Sequence, residues 1–237
     1  MTIAQNIERI NERIAAAARR AQRSPEKVTV MGVTKTIRPE RIREAYEAGL
    51  SVFGENRVQE FATKIEGTRD LKAEWHMIGH LQTNKAGKAA ELFSAVDSLD
   101  SIRLAEKLNA AAAALGKKLS VLIEINIGGE HAKSGVAPES SELESLLTRA
   151  PEFSSLRFHG LMTVPPYSDD AELARPYFRR MYKLFGTIAA RGLPAVEMKT
   201  LSMGMSHDFE IAIEEGANCI RIGTALFGER PPARSTN

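Results

Sequence analysis

The sequence has almost no cysteine: Cys219 stands alone among 237 residues. No internal disulfide can form, and a reducing, cytoplasmic setting is the expectation. Long apolar runs are missing too. None approaches the ~18 residues of a membrane-spanning helix, and the opening MTIAQNIERINERI sets Glu and Asn among its isoleucines, unlike a signal peptide. Charge of one sign is equally scarce. The 32 Lys and Arg and 30 Asp and Glu leave a net charge of +2, with the basic residues scattered. That argues against the basic stripe expected of a nucleic-acid binder. No long Ser/Gly/Pro linker interrupts the chain, so a single domain over 1–237 is expected, with a leading helix over 1–23 and a flexible tail over 229–237.

What is present is an ordinary globular balance, 43% hydrophobic and 26% charged residues. Ile3, Ile7, Ile10, Ile14 and Ala18 recur at helical spacing and predict the leading amphipathic helix. Strand-like runs then alternate with helical stripes. The runs are VTVMGVT, SVFGEN, WHMIGH, FSAVDS, LSVLIEINI, RFHGLMTV, VEMKTLSMG and ANCIRIGTAL. Between them fall stripes such as Val58, Phe61 and Ile65, or Tyr177, Met181, Leu184 and Ile188. Pro39 and Gly49 punctuate one helix at its two ends. Strict alternation predicts parallel strands with helical crossovers. Eight such units in a chain of this length predict an α/β fold, a closed (β/α)8 TIM barrel. An open doubly wound sheet is the alternative that periodicity leaves standing.

Both architectures place chemistry at the carboxyl ends of the strands. Lys35, Asn56, His80, Asn126, Met162 with Thr163, Ser202 and Arg221 fall there. Two of the following loops suit a phosphate. SMGMSHDF sets Ser206 directly before a helix, where N–H groups and the dipole favour an anion. RIGTALFG offers Gly223 for close backbone approach and Thr224 as a hydroxyl donor. The plain alternative for Ser206 is a helix cap. A lysine opposite a phosphate cradle suggests a Schiff base with a phosphorylated aldehyde, since desolvation makes an amine nucleophilic. A solvated charge is the plain alternative for Lys35.

The motifs VTKT with RPERI, FGENRVQE, WHMIGHLQTNK, LIEINI with HAKSG, FHGLMTV, LSMGMSHDFEIAI and RIGTALFG run in order from about Val28 to Gly228. Together they resemble the pyridoxal-phosphate homeostasis protein family, which is similar in turn to the N-terminal barrel domain of alanine racemases. The resemblance implies a (β/α)8 barrel carrying pyridoxal 5′-phosphate (PLP) as an internal aldimine. It matches Lys35 to the aldimine lysine and Arg221 to the residue facing the pyridine nitrogen. Ser202, Ser206, Gly223 and Thr224 match phosphate-side positions, and Asn56, His80, Met162 and Met203 match pocket-lining motifs.

The expected role is PLP homeostasis without substantial amino-acid turnover, with PLP-dependent apo-enzymes as acceptors. The alternative is a minor PLP-dependent racemase or lyase. Racemisation needs a base on each face of the substrate carbon, and in alanine racemases the resemblance supplies the second as a tyrosine from a C-terminal β-domain. With only a short stretch after the last strand here, no such domain is expected, and only Tyr167 of the four tyrosines lies on a loop that could reach the site. Arg221 cannot readily give up a proton, so it weakens the cofactor as an electron sink. No catalytic residue is therefore assigned, and a monomer is expected.

The remaining signals read as structure. His76 and His80 sit four apart, roughly 13 Å along a strand, too far to share a metal ion. GGEHAKSG lacks the Gly that a phosphate-binding loop needs before its lysine, because Ala132 stands there. The loop over 128–135 overhangs the expected active face and could serve as a lid, with Lys133 meeting a phosphate or carboxylate. Cys219, inside the apolar ANCIRI, is expected to be a buried structural thiol. Trp75 is expected to pack, and Lys85 and Lys88 to lie on a solvated helix face.

Overall fold

Alternating β-branched and apolar residues form eight strands, each followed by a helix that covers the outer face of the sheet. The computed structural model describes residues 1–130 and 133–228, so the tail expected over 229–237 and the centre of the 128–135 loop lie outside the described residues. In chain order the strands are β1 (Thr29–Val33), β2 (Val52–Glu55), β3 (Glu74–Met77), β4 (Ala95–Leu99), β5 (Leu119–Glu124), β6 (Leu156–Met162), β7 (Val196–Met205) and β8 (Cys219–Ile222). All neighbours pair in parallel, and β8 returns to β1 with Met31 opposite Arg221, so the sheet closes into a barrel. This settles the sequence alternatives in favour of the closed form.

The leading helix α1 (Ile3–Arg20) opens with a capping box between Thr2 and Gln5. Its stripe of Ile3, Ile10, Ile14, Ala17 and Ala18 is buried. The outer ring follows as α2 (Pro39–Glu47), α3 (Val58–Thr68), α4 (Ala86–Leu92), α5 (Ile102–Ala114), α6 (Ser141–Thr148), α7 (Arg175–Ala190), α8 (Phe209–Glu214) and the short α9 (Thr224–Phe227). A 3-10 turn, Thr83–Lys85, leads into α4. Helix α1 lies against α8 and α9. Asn6 donates to the Leu226 carbonyl at 2.8 Å, and Arg13 and Arg20 pair with Glu210 and Glu214.

Most of the core lies between barrel and ring. Phe61 stacks near Trp75 and Phe93 at centroid distances of 4.5 and 4.9 Å, with Phe53 on the other side of Trp75. Burying each such side chain contributes roughly 1.5–3 kcal/mol. Trp75 therefore packs as its position in β3 predicts.

The barrel interior is more polar. Asp97 on β4 and Cys219 and Arg221 on β8 are all buried, and the Asp97 charge acts on both β8 groups. Asp97 also takes His76 of β3, with Nδ1 at 3.0 Å from Oδ1. Cys219 is buried, and that burial, with Asp97 adding to it, pushes its thiol up to about 12. A thiol held protonated is a poor nucleophile. Cys219 is accordingly expected to resist iodoacetamide in the folded protein and to react fully in urea, as read by mass spectrometry.

Candidate functional site

At the mouth of the barrel, β1 ends at Val33 and the chain turns at once. Ile37 N–H returns to the Thr34 carbonyl at 2.9 Å. Lys35 occupies that turn, half-buried, two residues past the strand rather than at its last position. The next residue, Thr36, has φ 63. A β-branched residue with positive φ is strained, and such strain collects at functional sites.

The loops after β7 and β8 meet this turn. Gly204, with φ 93, lets β7 bend: a Cβ there would stand 2.5 Å from that of Ala212 on α8. The bend presents Ser206, whose Oγ accepts from the N–H groups of both Gly223 and Ala225 at 3.3 Å. Gly223 differs from Gly204. An added Cβ would meet only Val33, at 3.6 Å, so packing tolerates a side chain and the missing one keeps the cradle open. Asp208 accepts from Met205 N–H at 2.6 Å, and burial holds its carboxyl above the usual carboxylate range.

Lys35, Ser206, Arg221, Gly223 and Thr224 line one cavity of about 200 Å³, together with Tyr167, His207 and Asp208. Arg221 is buried at its floor, donating to Ser202 Oγ and to the Thr163 carbonyl, each at 2.7 Å. Burial lowers its proton affinity, while Cys219, Asp97, Asp208 and Glu124 act the other way. Ser202 lies inside β7, is fully buried, and its hydroxyl accepts from Arg221. Tyr167 reaches the rim, where its ring sits 6.0 Å from that of His207.

Asn56 and His80 line a second cavity, of about 570 Å³, with Glu124, Lys133 and Ser134. His80 is three residues past β3 and faces Asp100 at 3.1 Å, away from the His76–Asp97 pair. Among the described residues no group of three or more His, Cys, Asp or Glu is placed to hold a metal ion. Glu124 was not visible as a site residue in sequence. It takes Ser134 on one oxygen, leaves Oε2 buried without a partner, and burial raises its proton affinity. Lys133 Nζ donates to the Pro165 carbonyl and pairs with Glu130, bridging the loops after β5 and β6. Met162 and Met203 are fully enclosed beneath the mouth and line neither cavity. A larger cleft, about 650 Å³, opens between α6 and α7 on the outer ring, away from the strand ends.

The profile of the alanine racemase N-terminal domain matches residues 5–231. A pyridoxal phosphate homeostasis protein of Aquifex aeolicus is 46% identical over 230 residues, covering 97% of this chain and 99% of that one. The chain belongs to the pyridoxal phosphate homeostasis protein family. The Escherichia coli K12 member is 41% identical over 233 residues, covering 96% and 97% of the two chains. Among solved structures, PipY of Synechococcus elongatus with PLP bound superposes with a TM-score of 0.79 at 36% identity, over 92% of this chain and 100% of that one. No described helix is long and apolar enough to cross a membrane.

The residues present suit the group named in that family. The N–H groups of Gly223 and Ala225 converge on Ser206 Oγ beside Thr224, and neutral donors at a helix start suit a phosphate dianion. An amine and a buried guanidinium face the same space.

Proposed function

We propose that this chain binds pyridoxal 5′-phosphate at the barrel mouth, covalently through Lys35, and serves PLP homeostasis as a carrier without substantial amino-acid turnover. The observation that carries the reading is the shared cavity of Lys35, Arg221, Ser206, Gly223 and Thr224. When bound there, the cofactor supplies an electrophilic aldehyde. The N–H groups of Gly223 and Ala225 and the hydroxyls of Ser206 and Thr224 would hold its phosphate. Lys35 would present its amine to that aldehyde, the pairing that gives a C=N bond with loss of water. Asn56 and His80, which line the neighbouring cavity, would border the cofactor on that side. Met162 and Met203 support its floor from beneath, and Ser202 holds Arg221.

Arg221 keeps its protons. Against the ring nitrogen it leaves that atom unprotonated, which suits holding the group more than carbanion chemistry. Imine formation is reversible by exchange with another amine, which makes PLP-dependent apo-enzymes the proposed acceptors.

Gly223→Ala tests the cradle. The new methyl has room in the fold but occupies the anion's place. Affinity for PLP is expected to fall by about 10–150-fold, the equivalent of about 1.5–3 kcal/mol for hydrogen bonds to a charged group. Equilibrium dialysis reads this change, while the urea midpoint stays near that of the parent. Undiminished affinity would place the phosphate elsewhere.

A further inference from the structure

The turn that carries Lys35 is tied to α3 by buried charge. Lys64 is almost wholly buried, and its ammonium donates to three acceptors: the Thr34 carbonyl at 2.7 Å, Glu55 Oε1 at 2.8 Å and Glu60 Oε1 at 2.6 Å. That is its full complement of donors. Glu60 Oε1 also accepts from the Thr36 N–H at 2.5 Å. Glu55 Oε1 takes the Thr34 hydroxyl as well, at 2.7 Å. The Thr34 carbonyl belongs to the peptide bond before Lys35, and the Thr36 N–H to the one after it. Both peptide groups that flank Lys35 thus end on one part-buried ion pair, the ammonium side of which is buried.

We propose that Lys64 and Glu60, backed by Glu55, form a clamp that positions Lys35 for condensation with the cofactor aldehyde. The inference rests on the reading that Lys35 bears the imine. None of the three touches the cofactor; they act through the main chain on either side of the reacting residue.

Three physical points support the clamp. A Glu and Lys four apart on a helix ordinarily pair in water, where the contact is worth little. Here the ammonium is buried and Glu60 only half-buried, so the pair carries a desolvation cost that an apolar pair would avoid. What the charges gain over an apolar pair is a fixed hold on polar main-chain groups. Second, Thr36 is held at φ 63, a conformation that persists only where the surroundings over-determine it. The Glu60 carboxylate supplies one such constraint and the turn hydrogen bond another. Third, the charges are distributed to suit. Burial holds the Glu55 carboxyl above the usual carboxylate range, with Lys64 and Thr34 only partly opposing it. Glu60 is held below that range by Lys64 and the Thr36 N–H, against its own desolvation. The strong pair is therefore Lys64 with Glu60, the two groups that reach the peptides around Lys35.

The test separates binding from condensation. Pyridoxine 5′-phosphate, which has the ring and phosphate but an alcohol in place of the aldehyde, reports on the cradle alone. PLP reports on condensation, followed by stopped-flow absorbance and by borohydride trapping. In Glu60→Ala the pyridoxine 5′-phosphate affinity is expected to stay within about twofold of the parent. The first-order rate of imine formation at saturating PLP is expected to fall by about 10–100-fold, the scale of a reacting group misplaced by an ångström. Glu60→Gln keeps an acceptor oxygen for both donors and is expected to recover most of the rate, which a general loss of stability would not produce. Lys64→Met is expected to give the same split as Glu60→Ala; because it strands two carboxylates, the partly exposed Glu60 carries the decision if it does not fold. Unchanged condensation in Glu60→Ala, with the parent adduct on Lys35, overturns the clamp alone. A parent protein with no adduct on Lys35 overturns both the clamp and the cofactor reading beneath it.

Discussion

Replacing Lys35 by alanine is expected to abolish the borohydride-trapped PLP adduct outright. The parent protein should gain the mass of one reduced cofactor, located by peptide mapping to the segment that contains Lys35. The variant should gain none. Its affinity for PLP should fall by about 10²-fold or more, because the phosphate cradle makes the covalent step intramolecular and the alanine form lacks that step. The fold should survive, since Lys35 sits half-buried in a surface turn whose main-chain hydrogen bonds do not depend on its side chain. An adduct on any other residue would break the assignment. Steady racemisation or ammonia release by the parent, lost in the variant, would make this barrel an enzyme instead of a carrier.

The largest effect on stability is expected from His76→Ala. Asp97 is buried in the lumen, and His76 is its closest cationic partner, 3.0 Å away. Removing the imidazole strands a carboxylate in low dielectric, a loss of about 3–5 kcal/mol from a domain that typically holds 5–15 kcal/mol in all. Urea unfolding at neutral pH measures it. Adding Asp97→Asn to the same chain should return part of the loss, because the stranded charge is gone.

The pair also fixes a pH dependence. Burial alone would lower the His76 pKa, but the Asp97 charge and hydrogen bond, with Glu74 assisting, outweigh it and push it up to about 10. In the unfolded chain the ordinary value is about 6.5. The folded state therefore binds this proton more tightly. Its stabilisation is complete below about pH 6.5 and is lost progressively as the pH rises from there through about 10. That decline should be absent from His76→Ala. If the two proteins lost stability in parallel over that range, the pair would not be its source.

The barrel and its active end were legible because both rest on periodicity and spacing. Strands alternating with helical stripes gave the eight parallel strand–helix units, with closure left to chain length and the β1–β8 pairing, and the first lysine past a buried strand gave the candidate attachment point. Less legible was whatever depends on which face a residue turns. Glu60 and Lys64 have the spacing of an ordinary exposed helix pair, and nothing local announces that the ammonium is buried beneath the Lys35 turn. Thr36 carries no mark of its φ, because the positive value is imposed by its neighbours. Ser202 was expected on the phosphate side from its motif, but β7 runs on to Met205, so its hydroxyl points to Arg221 within the lumen. His76 and Asp97 are 21 residues apart and meet only because β3 and β4 are adjacent. His80 fell beyond its strand for a simple reason: β3 stops at Met77, ahead of Gly79, where a Cβ would collide with the Asn56 backbone.

The sheet is completed only when β1 meets β8. Those partners are separated by nearly the whole described chain, and so large a loop must be closed before pairing returns any free energy. Ring closure is for that reason expected to come late in folding. Until it happens, α1 has no α8 or α9 to cover its isoleucines, and the two unpaired strand edges can capture one another's counterparts on neighbouring molecules. The same joint that makes the finished protein edge-free makes its newly synthesised form the one most in need of dilution or a chaperone.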